Sequence, residues 1–203
     1  GPPTGTDEAG AVMFASLGAT GHHRPGLQGT FEHAPVVGGP LESEQRGGPF
    51  AVMLRNAGVE GEIPRLPSGL GFSTVVEFRE PVVEHHPDPG PGRICMWVRR
   101  RDGVPVPPAT VAFIADMVPL SVAHGCGVMA GGISLDNTIR IGAFEPSEWV
   151  LVDLRASFAA GDYGHGAAHI WSEGGNLLAT ASQSASMVEF DLANAPWNQP
   201  PEG

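Results

Sequence analysis

Apolar and polar positions along this chain repeat with two different periods, separated by stretches that follow neither. Residues 9–19 (Ala-Gly-Ala-Val-Met-Phe-Ala-Ser-Leu-Gly-Ala) read as one strand. A lone strand leaves its backbone N–H and C=O groups unsatisfied, so this one either joins a later sheet or pairs with something absent from the chain. Between Thr20 and about Leu70 the periodicity fades into turn and linker chemistry such as Gly-His-His-Arg-Pro-Gly and Val-Val-Gly-Gly-Pro. Alternation returns over Phe72–Glu80, where Phe72, Thr74, Val76 and Phe78 share one face of a strand. Pro81–Pro91 reads as a loop. Arg93–Arg100 is a second strand, with Ile94, Met96 and Val98 on one face and Cys95 and Trp97 on the other. Asp102-Gly103 is a turn.

The helical signal comes next. Pro107-Pro108 supplies a start, since proline fits the first turn of a helix. Ala109 to Leu120 is apolar at nearly every position, with Asp116 its only charge, and Pro119 and Gly125 bring it to an end. A helix that is apolar all round is buried all round. Four strands follow over Ile133–Ile141, Glu148–Ala160, Gly166–Ser172 and Asn176–Val188, with a hairpin turn at Glu173-Gly174-Gly175-Asn176. An antiparallel sheet curled around one helix is the economical way to bury that helix. The predicted fold is therefore α+β, in the hotdog layout.

Composition narrows the chemistry. The chain has 203 residues, among them 29 glycines and 20 prolines, yet 41% of it is hydrophobic. The two facts agree because residues 1–70 and 81–92 hold many of the glycines and prolines. All 11 basic residues are arginine, so lysine chemistry is excluded: no P-loop lysine, no Schiff base, no lysine general base. That usage, with abundant Ala, Gly and Pro, fits a GC-rich bacterial genome. The formal charge of −11 argues against nucleic-acid binding, which needs a basic footprint. Arg99-Arg100-Arg101 reads as a strand end facing water. Cys95 and Cys126 are too few for a disulfide framework and lie in apolar context, so both are expected to be buried, reduced thiols of a cytoplasmic protein. No N-terminal stretch reads as a signal peptide, and Met117–Leu135 is too interrupted for a membrane span. The Gly-Pro start reads as a tag scar or processing site.

Candidate chemistry is sparse. His165 and His169 have a metal-ligand spacing only on a helix; on a strand four residues span about 13 Å, too far for one ion. No dinucleotide fingerprint or nucleophile elbow is present. Asp116 is either a buried carboxylate held by hydrogen bonds or a contributor to an active site. Asp136, Ser157 and Gln183 each interrupt a strand of otherwise apolar or small residues, where ordinary water-facing polar residues are the plain alternative.

Those three segments resemble the C-terminal hotdog of the acyl-CoA thioesterase II family. The resemblance rests on Ser134-Leu135-Asp136-Asn137-Thr138-Ile139, Glu148-Trp149-Val150-Leu151, Gly164-His165-Gly166, the hairpin Glu173 to Thr180, and Gln183. Phe31-Glu32-His33, Pro35 and Pro40 look like that family's interdomain linker, and residues 9–19 like the last strand of its N-terminal hotdog. The expected organisation is thus residues 1–70 as strand plus linker, 71–192 as the C-terminal hotdog and 193–203 as a tail. The resemblance implies hydrolysis of acyl-CoA to a fatty acid and coenzyme A without metal or organic cofactor. It implies a water oriented and activated by Asp136, Ser157 and Gln183. Because this chain lacks nearly all of the N-terminal repeat, the resemblance also implies that a second hotdog comes from another chain or a second copy, or that the chain is a fragment. Asn137, Arg140 and Ser184 depart from the family pattern, where His, an aromatic residue and Glu are common. A non-catalytic hotdog that binds an acyl chain or serves assembly is the alternative reading.

Overall fold

The computed structural model describes residues 4–22, 24–45, 47–56, 58–59, 74–81 and 92–191, leaving out the side chains of residues 13, 14 and 56. Its elements in chain order are β1 (Thr4–Thr6), β2 (Val12–Ala15), α1 (Gly48–Asn56), β3 (Val76–Arg79), β4 (Arg93–Arg100), α2 (Pro108–Ala115), α3 (Val118–Cys126), β5 (Ala130–Ile141), β6 (Trp149–Ala160), β7 (Tyr163–Ser172) and β8 (Leu177–Glu189). Strands β3-β4-β6-β7-β8-β5 form one sheet in that order, antiparallel throughout. The helices α2 and α3 lie across its inner face, but α2 is not buried all round as its apolar pattern predicts, since Ala109 and Phe113 are exposed on the side away from the sheet's core.

Alternation sorts the strands into two cores. Ile94, Met96 and Val98 of β4, Val150, Val152 and Leu154 of β6, and Ala168 and Ile170 of β7 face Val111, Ile114, Val118 and Leu120 of the helices. Full burial of each large aliphatic side chain here contributes about 1.5–3 kcal/mol. The outer face carries a second cluster of Cys95, Trp97, Trp149, Leu151 and Trp171, against which Ala34 and Val37 pack. The Trp97 indole N–H donates to Gly38 O at 2.8 Å, and Arg79 donates to Pro40 O at 3.1 Å. The Gly/Pro-rich segment thus roofs the outer face with backbone carbonyls accepting from it.

Several elements differ from the sequence reading. The predicted strand at 9–19 shrinks to Val12–Ala15 and pairs with β1 in a separate two-stranded sheet. Helix α1 lies where no regular pattern was legible; its buried Ala51 and Leu54 are two positions in a glycine- and proline-rich context. The single predicted helix is two, broken at Asp116-Met117. Pro119 starts the second helix rather than ending the first, because the first turn has no use for its missing N–H. The helix then runs to Gly127, whose φ of +69° caps it in the left-handed region. Residues 72–73, the loop 82–91 and the tail 193–203 lie outside the described residues. The span Pro108–Cys126 has 19 residues and a mean hydropathy of 1.4, long and apolar enough to cross a membrane by length and composition alone; half of it is buried inside the protein. Of the basic run, Arg99 pairs with Glu77 and Glu148 and Arg100 with Asp102.

Close helix–sheet packing fixes where α3 lies. A Cβ on Gly164 would sit 2.6 Å from Val122 Cγ1, and one on Gly166 would sit 3.0 Å from Val118 Cγ1. We predict that Gly164→Ala lowers stability by about 1–3 kcal/mol through overpacking, and that Val122→Ala in the same chain recovers part of the loss. Denaturant midpoints of the single and double variants check this; additive losses would refute it.

Asp153, fully buried on the outer face, accepts from Arg93 (2.8 and 3.0 Å) and Arg155 (3.0 and 2.7 Å). Burial pushes its carboxyl up, but the two guanidinium groups outweigh burial and hold it below the ordinary value. Its contribution is therefore complete above the unfolded aspartate range, about 3.9, and is lost as pH falls through the lower folded-state value. Asp153→Asn should cost about 3–5 kcal/mol at neutral pH and flatten the acid limb of the stability curve. Unfolding midpoints across a pH series measure both effects.

Candidate functional site

Strand β8 alternates small residues inward: Ala179, Ala181, Gln183 and Ala185 are all buried. Gln183 is the one amide in that row and is only 1% exposed. Its Nε2 donates to Asp116 Oδ1 at 2.6 Å and to Ser134 Oγ at 2.8 Å. Asn137 Nδ2 donates to the same Asp116 oxygen at 3.0 Å. Asp116 stands at the C-cap of α2, where the helix breaks. Gln183 Oε1 is buried and has no hydrogen-bond partner among the described residues. An unpaired buried amide oxygen is costly, which marks this one as a place for an outside donor. Asp116, Ser134 and Asn137 are exposed, so the cluster opens to solvent beside α2 and the edge strand β5.

Asp136 lies on the other face. Between Ser134, opposite Ala185, and Asp136, opposite Ser184, the pairing of β5 with β8 slips by one residue. Leu135 is the extra residue of this bulge, and a one-residue slip exchanges the faces of everything beyond it. Asp136 therefore accepts from Ser184, from its N–H at 2.8 Å and its hydroxyl at 3.1 Å, and makes no hydrogen bond to Gln183. His165 Nδ1 lies 3.1 Å from the Ser184 oxygen, and Phe158 stacks on His165 with ring centroids 5.7 Å apart.

Ser157 is the extra residue of a second bulge, between Ala156 and Phe158 on β6, and is exposed. The three residues expected to share a water thus fall in three places in this chain: Gln183 within, Asp136 on the outer face, Ser157 on a bulge. The structure instead gathers Asp116, Ser134 and Asn137 around Gln183, and Ser184 and His165 around Asp136. Asp116 and Asn137 stood out in the sequence, one as the only charge of an apolar helix, expected to be buried but exposed here at the helix break, and the other as a departure from the family pattern. Ser134 carried no signal of its own.

The two thiols differ. Cys95 is buried against Asp153; burial and the neighbouring carboxylate push its pKa up to about 12, with Arg93 opposing. Such a thiol is no nucleophile at neutral pH. Cys126, expected to be buried, is exposed, because it lies in the last turn of α3.

A family model described as the acyl-CoA thioesterase C-terminal domain matches residues 23–187. A candidate thioesterase from Novosphingobium aromaticivorans has a crystal structure similar to this chain, with a TM-score of 0.59 and 29% identity, covering 81% of this chain and 58% of its own. A protein of unknown function with a hot dog fold from Alicyclobacillus acidocaldarius superposes with a TM-score of 0.57 and 18% identity, covering 82% of this chain and 58% of its own. That likeness shows the fold. The chain spans 58% of the length of each of these structures. No curated protein matches it in sequence.

The thiol environments predict that a disulfide reagent titrates Cys126 in the native protein and reaches Cys95 only on unfolding. A rapid reaction of both thiols in the folded state would contradict the burial of Cys95.

Proposed function

This chain belongs to the acyl-CoA thioesterase C-terminal domain family, and we propose that it hydrolyses an acyl thioester of the acyl-CoA class by direct attack of water. The observation that carries this reading is the buried, unpartnered Oε1 of Gln183 in a cluster open to solvent. A thioester carbonyl is already electrophilic, so a held water and a carboxylate base suffice. The water donates one hydrogen to Gln183 Oε1 and gives its proton to the base, and its oxygen bonds to the carbonyl carbon. The C–S bond then breaks, the carboxylic acid forms, and the thiolate takes the proton from the base.

Following the family resemblance, Asp136 is that base and Ser157 a second group on the water. Asp136 reaches the face of Gln183 if the bulge at Leu135 is removed: the unbulged register sets Asp136 directly opposite Gln183. Strand β5 is an edge of the sheet, largely exposed over Ala130–Ile141, with Ile133 and Leu135 at 64% and 60% exposure. A second hotdog, from another chain or a second copy, pairing along this edge would cover those side chains and set the bulge.

Thiol release from a panel of acyl-CoAs by the assembled protein tests the function. Asp136→Asn should lower turnover by about 10²–10⁴-fold, with smaller losses for Ser157→Ala. Full activity of Asp136→Asn would remove it as the base, and no turnover of any acyl-CoA would refute the function. The separation of Asp136, Ser157 and Gln183 favours a second reading, a non-catalytic acyl-binding or assembly module. Bound acyl-CoA or fatty acid without turnover would establish that one.

A further inference from the structure

A glutamine side chain ends in one acceptor oxygen and one nitrogen with two hydrogens, and rotation about its last bond exchanges them at little intrinsic cost. A water that accepts a hydrogen bond from the nitrogen has one of its two lone pairs engaged and its oxygen made less nucleophilic. A water that donates to the oxygen keeps both lone pairs, and its oxygen becomes more nucleophilic. Which end of Gln183 faces the water therefore decides whether the residue assists hydrolysis or obstructs it.

We propose that Asp116 is a positioning residue that locks the amide of Gln183 with Oε1 toward the reacting water. This deepens, and rests on, the reading of Gln183 above. An ionised carboxylate only accepts, so Asp116 Oδ1, at 2.6 Å from Nε2, admits the nitrogen and rejects the oxygen. Ser134 Oγ, at 2.8 Å, takes the second amide hydrogen. Both donors of Gln183 are then spent inside the protein, and the one group left over is the buried Oε1. The reverse orientation would place Oε1 against an anionic oxygen at hydrogen-bond distance. The clamp is itself held at the end of its helix, where the Asp116 N–H caps α2 by donating to Phe113 O.

The test uses the assembled protein, acyl-CoA hydrolysis and four variants. Gln183→Ala should lower kcat strongly. Asp116→Ala should lower kcat by about 10- to 100-fold with KM within about threefold, as for the loss of orientation of a reacting group. Gln183→Glu should be nearly inactive, because two carboxylates then meet at 2.6 Å. Adding Asp116→Asn to Gln183→Glu should recover at least about tenfold, since the asparagine N–H₂ donates to one glutamate oxygen and leaves the other free to accept. A merely structural role for Asp116 does not yield that rescue, and the rescue stays decisive if Asp116→Ala folds poorly. Impaired Gln183→Ala alongside unchanged kcat in Asp116→Ala overturns this proposal alone, as does a double variant no better than Gln183→Glu. Full activity of Gln183→Ala overturns the reading of Gln183 on which it rests.

Discussion

Helix α3 can lie as close to the sheet as it does only because β5 and β7 present glycines beneath it. A Cβ on Gly132 would meet Pro119 at 2.5 Å, one on Gly164 would meet Val122 at 2.6 Å, and one on Gly166 would meet Val118 at 3.0 Å. Three successive contacts of this kind fix the height and the direction of the helix over the strands. They fix with it the break at Asp116-Met117, since α2 must end where α3 is seated. The Asp116 carboxylate is thereby carried to within hydrogen-bond reach of Gln183 on β8. Packing in the apolar core and polar geometry at the candidate site are two results of one constraint.

The outer face shows how the same sheet is closed on its other side. Its tryptophans and Leu151 are covered by a segment with almost no periodic pattern, which contributes Ala34, Val37 and carbonyl acceptors. Arg79 and Arg99 stack on the Trp149 ring at 5.0 and 4.7 Å while pairing with Glu77. Glu77 and Asp153 are buried charges, and each is flanked by two arginines. A buried carboxylate needs such partners, so the charged residues in these strands mark the edge of the roof.

The bulges at Leu135 and Ser157 lie within the region that the family resemblance singles out. A bulge changes which face the following side chains take, and it is set by the pairing partner as much as by the strand itself. On β6 the pairing with β4 ends at Arg155, before the bulge, and β7 pairs across it. Strand β5 is an edge of the sheet among the described residues, with β8 as its partner. Side-chain facing at Asp136 therefore belongs to the paired edge, whereas Gln183, between β7 and β5, is held by neighbours this chain supplies itself.

Most of the sheet was legible by itself. Arg93–Arg100 and the strands after residue 130 carry alternation that decides strand, span and face locally, and Ile94, Met96 and Val98 fell on the inner face as their spacing requires. The hairpin glycines, the apolar core helix and the polar interruptions at Asp136, Ser157 and Gln183 were likewise visible. Helix α1, the true role of Pro119 and the exposure of Cys126 were not, because each depends on what the neighbouring segment does. The sequence alone determined most strands of the large sheet, the α+β class and most of the residues that could carry chemistry, since these follow from local periodicity and residue type. Only the tertiary structure decided which of those residues meet, because a contact such as Asp116 to Gln183 depends on the height of a helix over a sheet, and a facing such as that of Asp136 on a one-residue slip in pairing.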